Sequence, residues 1–230
     1  MPNTLFLHEE ILLLALRDEE GTIASGGTMY QYAIGAALLA ELLLRKRIEV
    51  DQSGKKKLVN LVSSTPLGEP LIDECLDKIS SAKRRAVLQT WVSRFAGIKN
   101  LKDRVAQQLC RRGILKADED KVLLLFRRKI YPEVNPEPER ELIERLRYAV
   151  LTKADDIDPR TVVLLSLANS ASLLKMAFDK KELKDHKARI KKIVNGEITG
   201  KAATEAIQAM QAAVMVACII PTFITVSVSH

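Results

Sequence analysis

Apolar residues recur at helical spacing along most of this chain, and that period constrains its fold more than any other feature. Leu5 to Leu16 and Met29 to Leu44 both carry it, as an α-helix with one buried face requires. Thr28 with Gln31 supplies a capping box for the second segment, and Gly21 and Gly26-Gly27 bracket the connection. "PLIDECLDKIS", "RRAVLQTWVSRFAG" and "IKNLKDRVAQQLCRRG" read as three further helices, with Gly97 and Gly113 as stops. Asn135-Pro136 and Asp158-Pro159 place a cap residue before a first-turn proline. They predict helices over about Pro136 to Leu151 and Pro159 to Phe178. "KKELKDHKARIKKIVNG" gives another, and the uncharged stretch from Ala206 to Ser229 a last one.

Only two stretches depart from this period. "RIEVD" alternates like a short strand, with "SGKKKLVNLVSS" as its returning partner. In "ILKADEDKVLLLFRRKIYP" the acidic Asp118 to Asp120 reads as the turn between two apolar runs, a β-hairpin. There is no internal repeat and no low-complexity linker. The expectation is a mainly α, single globular helical domain over residues 1–230 with one or two small β-hairpins.

The 230 residues suffice for a sizeable core, and 47% apolar with 28% charged residues describes a globular chain. Glu9 and Glu10 interrupt the first apolar run and no basic leader precedes it, so the segment reads as an amphipathic helix rather than a signal peptide. The C-terminal stretch is diluted by Gln208, Gln211 and Pro221, which favours a buried helix over a membrane span. Cys75, Cys110 and Cys218 are odd in number and widely spaced, against a disulfide framework or a zinc site and in keeping with a reducing, cytoplasmic setting.

Catalytic constellations are not in evidence. His8, His186 and His230 lack metal-ligand spacing, and there is no nucleophile elbow, Walker loop or dinucleotide fingerprint. Glu9 and Glu10 are adjacent and point different ways on a helix. Asp155, Asp156 and Asp158 read as an acidic helix entrance before a cation site. The chain reads as a binding protein, not an enzyme, with no cofactor and no metal.

The net charge of +7 bears on partners only where it clusters. It does so at Arg45 to Arg47, Lys55 to Lys57, Lys99 to Arg112, and Lys180 to Lys192, where seven Lys/Arg face two Asp/Glu. A 4% aromatic content argues against nucleic acid. Lys99 and Lys102, three apart at a helix start, are expected to share a face where a phosphate would meet both charges and free helix N–H groups. The glycine-rich "ASGGTMYQYAIG" reads either as a weak phosphate cradle or as an ordinary helix entrance.

"LFLHEEILLLALRDEEGTI", "STPLGEPLIDECLDKI", "TWVSRFAGIKNLKDRVAQQLCRRGIL" and "LLSLANSASLLKMAF", in this order, resemble the Golgi phosphoprotein 3 family from about Leu5 to Ile220. The resemblance implies a non-catalytic, mostly helical, peripheral membrane protein that binds phosphatidylinositol 4-phosphate. It would lie on the cytosolic face of the Golgi in a eukaryote. It implies protein tails as further partners, and homo-oligomers through the hairpin at Val122, Leu124, Phe126 and Ile130. The lipid phosphate falls to Lys99 and Lys102. The family's lipid-contacting tryptophan and a basic residue fall on or near Gly26 and Gly35, neither of which can replace them, with Arg45 and Arg47 as accessory contacts. The acidic, arginine-containing N-terminal tail of eukaryotic members has no counterpart, so coat binding is not expected. Both departures would suit a prokaryotic member. The alternative is an interaction scaffold that has lost specific lipid recognition.

Overall fold

The computed structural model describes residues 4–16, 22–23, 29–51, 53, 56–122 and 126–198. Gly26, Leu124 and the C-terminal apolar stretch lie outside these residues, as does Thr28 of the expected capping box. Among the described residues the chain forms ten helices and two two-stranded antiparallel sheets, a mainly helical fold. No described helix is long and apolar enough to cross a membrane.

Two helices make the centre. α1 (Leu7–Ala15) is buried along its whole length, and α2 (Met29–Leu44) packs along it. The first helix is therefore not amphipathic as its sequence suggests: His8, Glu9 and Glu10 are as buried as the leucines. Each buried leucine contributes roughly 1.5–3 kcal/mol of transfer free energy. The charged residues persist there only because partners from other helices reach them.

After α2, β1 (Ile48–Val50) pairs with β2 (Val59–Leu61), Glu49 opposite Asn60. α3 (Pro70–Ser80) starts on Glu69, whose carboxylate accepts the N–H groups of Leu71 and Ile72 at 3.0 and 2.6 Å. Gly68 before it turns at φ +79°, and Asp73 locks the turn by accepting the N–H groups of Leu67 and Gly68. α4 (Leu88–Ala96) crosses α2 and ends at Gly97, as expected. α5 (Leu101–Arg111) ends at Gly113, φ +72°, where Ile114 N–H returns to Leu109 O at 3.0 Å.

β3 (Asp118–Val122) and β4 (Phe126–Ile130) form the second hairpin. Its acidic residues lie within β3 rather than in the turn. Glu119 stands opposite Lys129, and Asp120 opposite Arg128.

α6 (Glu137–Leu151) begins one residue after its expected start, with Asn135 Oδ1 accepting the Glu137 N–H at 3.2 Å. α7 (Pro159–Ser170) is capped by Asp158 through the Thr161 N–H at 3.0 Å. The single helix expected to Phe178 is broken. Ser172 takes a left-handed conformation at φ +58°, and Leu173 N–H closes on Ala168 O at 2.8 Å. The turn brings Leu173 and Phe178, flanking the short α8 (Leu174–Ala177), onto the core. The basic helix likewise divides at His186 into α9 (Lys180–Asp185) and α10 (Lys187–Val194). Ile190 and Ile193 are buried, and Arg189 anchors α10 to the carbonyls of Ala149 and Ala154.

Candidate functional site

At the turn from α4 to α5, Gly97 ends one helix and Asn100, left-handed at φ +55°, starts the next. A groove of about 540 Å³ opens there. It is lined by Tyr30 and Gln31 from the start of α2, by Gly97, Ile98 and Asn100 of the turn, and by the charged Lys102, Asp103 and Lys129. Lys102 Nζ lies 5.5 Å from the centroid of the Tyr131 ring and 3.9 Å from Asp103 Oδ1. A cation over an aromatic face gains attraction without losing its capacity to bind an anion at its open side. The position in the first turn of α5 adds helix N–H groups without intrahelical partners.

Sequence reasoning placed Lys99 and Lys102 on one helical face, and the geometry corrects this. Lys99 precedes the left-handed Asn100, outside α5. It is exposed on the turn and is not part of the groove's lining, whereas Lys102 is. Lys99 lies in the chain between Ile98 and Asn100, which do line the groove.

Gly35 is not a surface position either. A Cβ built there would stand 2.8 Å from Val92 O and 2.8 Å from Ala96 N, so the glycine lets the backbones of α2 and α4 meet. Arg45 and Arg47 follow the far end of α2, roughly 20 Å of helix away from Gln31. Arg45 binds Glu41 at 3.0 Å and Arg47 the Thr65 carbonyl at 2.9 Å. These two arginines are structural partners at another place, not accessory walls of this groove. In the hairpin, Val122 pairs with Phe126 and Ile130 with Asp118.

Sequence reasoning missed Asp103, Lys129 and Tyr131, which arrive from α5 and from β4 and its continuation. It also missed a buried polar network around α1. Arg160, in the first turn of α7, donates to Glu41 at 2.9 Å, to the Leu5 carbonyl at 2.5 Å and to Glu10 at 3.4 Å. Arg145 meets Glu10 at 2.7 Å and Arg112 meets Glu9 at 2.9 Å. Glu41 also accepts the Leu7 N–H at 3.0 Å. The visible signal was three polar residues inside a leucine run, which read as an exposed stripe because their distant partners carry no local pattern.

His8 belongs to the same network. Its Nε2 lies 3.0 Å from Gln108 Oε1, and Gln108 donates through Nε2 to Glu69 Oε1. Gln108 thus presents its acceptor to His8, which fixes the Nε2–H tautomer and leaves Nδ1 without a partner. Burial, outweighing the hydrogen bond to Gln108, lowers the His8 pKa to about 4. A lowered folded pKa means stability present above the ordinary value of 6.5 and lost as pH falls towards about 4. Burial also raises Glu9, Glu10 and Glu69, and each of these favours the acid side instead. The histidine's share is isolated by His8→Gln, which keeps a donor to Gln108 without titrating. Between pH 7 and pH 5 the unfolding free energy from urea titration should shift towards the acid side in the variant by on the order of 1–2 kcal/mol relative to the parent. Parallel behaviour of the two proteins would remove His8 as the source.

Among the described residues no His, Cys, Asp or Glu group is arranged to hold a metal ion. Cys75 is buried, and burial pushes its thiol well above the ordinary value. Neither the network nor the groove presents an activated nucleophile.

Comparison with known proteins agrees with the fold. A family model described as Golgi phosphoprotein 3 (GPP34) matches residues 7–210. The chain is also 24% identical over 220 residues to vacuolar protein sorting-associated protein 74 of Schizosaccharomyces pombe. That match covers 82% of this chain and 65% of the relative, so the chain spans less than two thirds of that relative's length.

Proposed function

The chain belongs to the Golgi phosphoprotein 3 family, and from that premise we propose that it is a non-catalytic peripheral membrane protein whose α4–α5 groove takes an anionic lipid headgroup. The headgroup is a phosphomonoester of the phosphatidylinositol 4-phosphate type, and the protein acts as one domain on the cytosolic face of its membrane. The observation that carries this reading is Lys102, set in the first turn of α5 among the residues that line an open groove, with Lys99 exposed on the turn just before it. A phosphate there meets a cation and helix N–H groups together. The family's other basic contact falls on or near Gly35, which supplies no cation and packs against the backbone of α4, so the lysines bear most of the attraction. Self-association through the β3–β4 hairpin is part of the same reading.

Flotation with phosphatidylcholine vesicles tests it. Vesicles containing phosphatidylinositol 4-phosphate should bind the parent more tightly than charge-matched phosphatidylserine vesicles. Lys99→Glu/Lys102→Glu should lose at least tenfold in affinity, since each basic residue near an anionic surface contributes about 1 kcal/mol and reversal adds repulsion. Undiminished binding by that variant would exclude the groove.

A second reading, a scaffold for basic protein tails, is favoured by another groove of about 520 Å³, where Glu137 and Glu141 of α6 face Glu10, Arg112 and Arg145. Saturable binding of a basic peptide, lost on Glu137→Lys/Glu141→Lys and indifferent to Lys102, would support it.

A further inference from the structure

Asp103 stands between two lysines that come from different elements. Its Oδ1 is 3.9 Å from Lys102 Nζ on α5, and its Oδ2 is 4.0 Å from Lys129 Nζ on β4. The Tyr131 hydroxyl hydrogen-bonds to the same carboxylate, and the Tyr131 ring carries Lys102 on its face. Tyr131 is 2% exposed and so fixes the position of Asp103 from beneath, whereas the Lys129 side chain is 60% exposed and can swing.

We infer that Lys129 is a third cation of this groove and that Asp103 is its built-in counterion, displaced from the two lysines when an anionic phosphate enters. The inference rests on the headgroup reading of the groove. Both ion pairs are at the outer limit of contact, so the ammonium groups are steered by Asp103 without being consumed by it. A phosphomonoester carries more charge than one carboxylate and offers three acceptor oxygens, so it can bind Lys102 and Lys129 at once. Asp103 then keeps its Tyr131 hydrogen bond and loses only its lysine partners.

Two consequences separate this arrangement from a plain basic patch. A headgroup with a single weak negative charge gains little over Asp103 and is discriminated against, which makes Asp103 a specificity residue. The second consequence concerns the hairpin. Lys129 is in β4 and Tyr131 directly follows it, so ligand occupancy is tied to how the hairpin lies against α5.

The test uses the full chain and vesicles of phosphatidylcholine with either phosphatidylinositol 4-phosphate or charge-matched phosphatidylserine. Lys129→Ala should weaken binding to the phosphoinositide vesicles about fivefold, and Lys129→Arg should keep it. Asp103→Asn, which retains a hydrogen-bond acceptor for Tyr131, should strengthen binding about fivefold and narrow the preference over phosphatidylserine. In Asp103→Asn/Lys129→Ala the two effects should fail to add, because each residue acts on the other. Circular dichroism and light scattering on each variant establish equal folding and oligomeric state. If Lys102→Ala weakens binding while Lys129→Ala and Asp103→Asn behave as the parent, the inference is overturned and the headgroup reading stands. Strict additivity in the double variant also overturns it. If the parent binds neither kind of anionic vesicle, both fail together.

Discussion

Replacing Arg160 by methionine is expected to destabilise the protein by about 3–5 kcal/mol at pH 7, the cost of leaving a buried charge without its partner. Methionine fills much of the arginine's volume, so the loss is mainly electrostatic. Glu41, fully buried, would keep only the half-exposed Arg45 and the Leu7 N–H. Among the described residues Glu10 would keep only Arg145, and the Leu5 carbonyl would lose the Arg160 donor. The pH dependence follows from Glu41. Burial pushes its pKa up, but the charge of Arg160 and the hydrogen bonds from Leu7 and Arg45 outweigh that and hold it below the ordinary 4.5. A carboxylate with a lowered folded pKa stabilises above its unfolded value, and that contribution fades as pH falls through the folded one. The gap between parent and variant should therefore be full at pH 7 and narrow below about pH 4.5. Urea denaturation at the two pH values measures it. Glu41→Gln/Arg160→Met should recover part of the loss. A deficit under 1 kcal/mol at pH 7 would mean that Arg160 does not neutralise this cluster.

The second large effect concerns Gly35. Alanine is the better helix former by about 1 kcal/mol. Gly35→Ala should nonetheless destabilise by about 1–3 kcal/mol, because the added Cβ meets backbone atoms of Val92 and Ala96 rather than a yielding side chain. Gly35→Arg, which drives a long side chain into the same backbone contact, should leave no folded protein. The helices would have to separate to admit it. Since Gly97 and Ile98 line the groove directly after Ala96, Gly35→Ala should also weaken vesicle binding. A lower urea midpoint with unchanged slope is the expected signature; an unshifted midpoint would show that α2 and α4 can part without cost.

The helices were legible wherever a local signal marked their ends. Asp158-Pro159, Asn135-Pro136 and Gly113 each act through neighbours within a few residues, and their helix ends lie close to expectation. Ser172 was not legible, because a serine in a left-handed turn is held by the burial of Leu173 and Phe178, which the sequence does not announce. The sequence places the hairpin correctly but reads Asp118 to Asp120 as its turn, whereas they lie in β3. Acidic residues are common in turns, and only the pairing with Lys129 and Arg128 shows their place in the strand. Of the groove, Lys102 could be located because α5 is periodic. Asp103 and Lys129 could not, since β4 and α5 meet only in three dimensions. Glu9 and Glu10 were misread for the same reason: Arg112, Arg145 and Arg160 lie a hundred residues or more away.

That separation governs the order in which the molecule can be made. Arg160 follows Glu10 by 150 residues, so a ribosome adding about 5–20 residues per second leaves the leucine-rich first helix without its final charge partner for roughly 8–30 s. Local helix formation takes microseconds, so α1 and α2 can form and pair long before then. Glu10 and Glu41 therefore pass that interval without the arginine that both meet in the finished core.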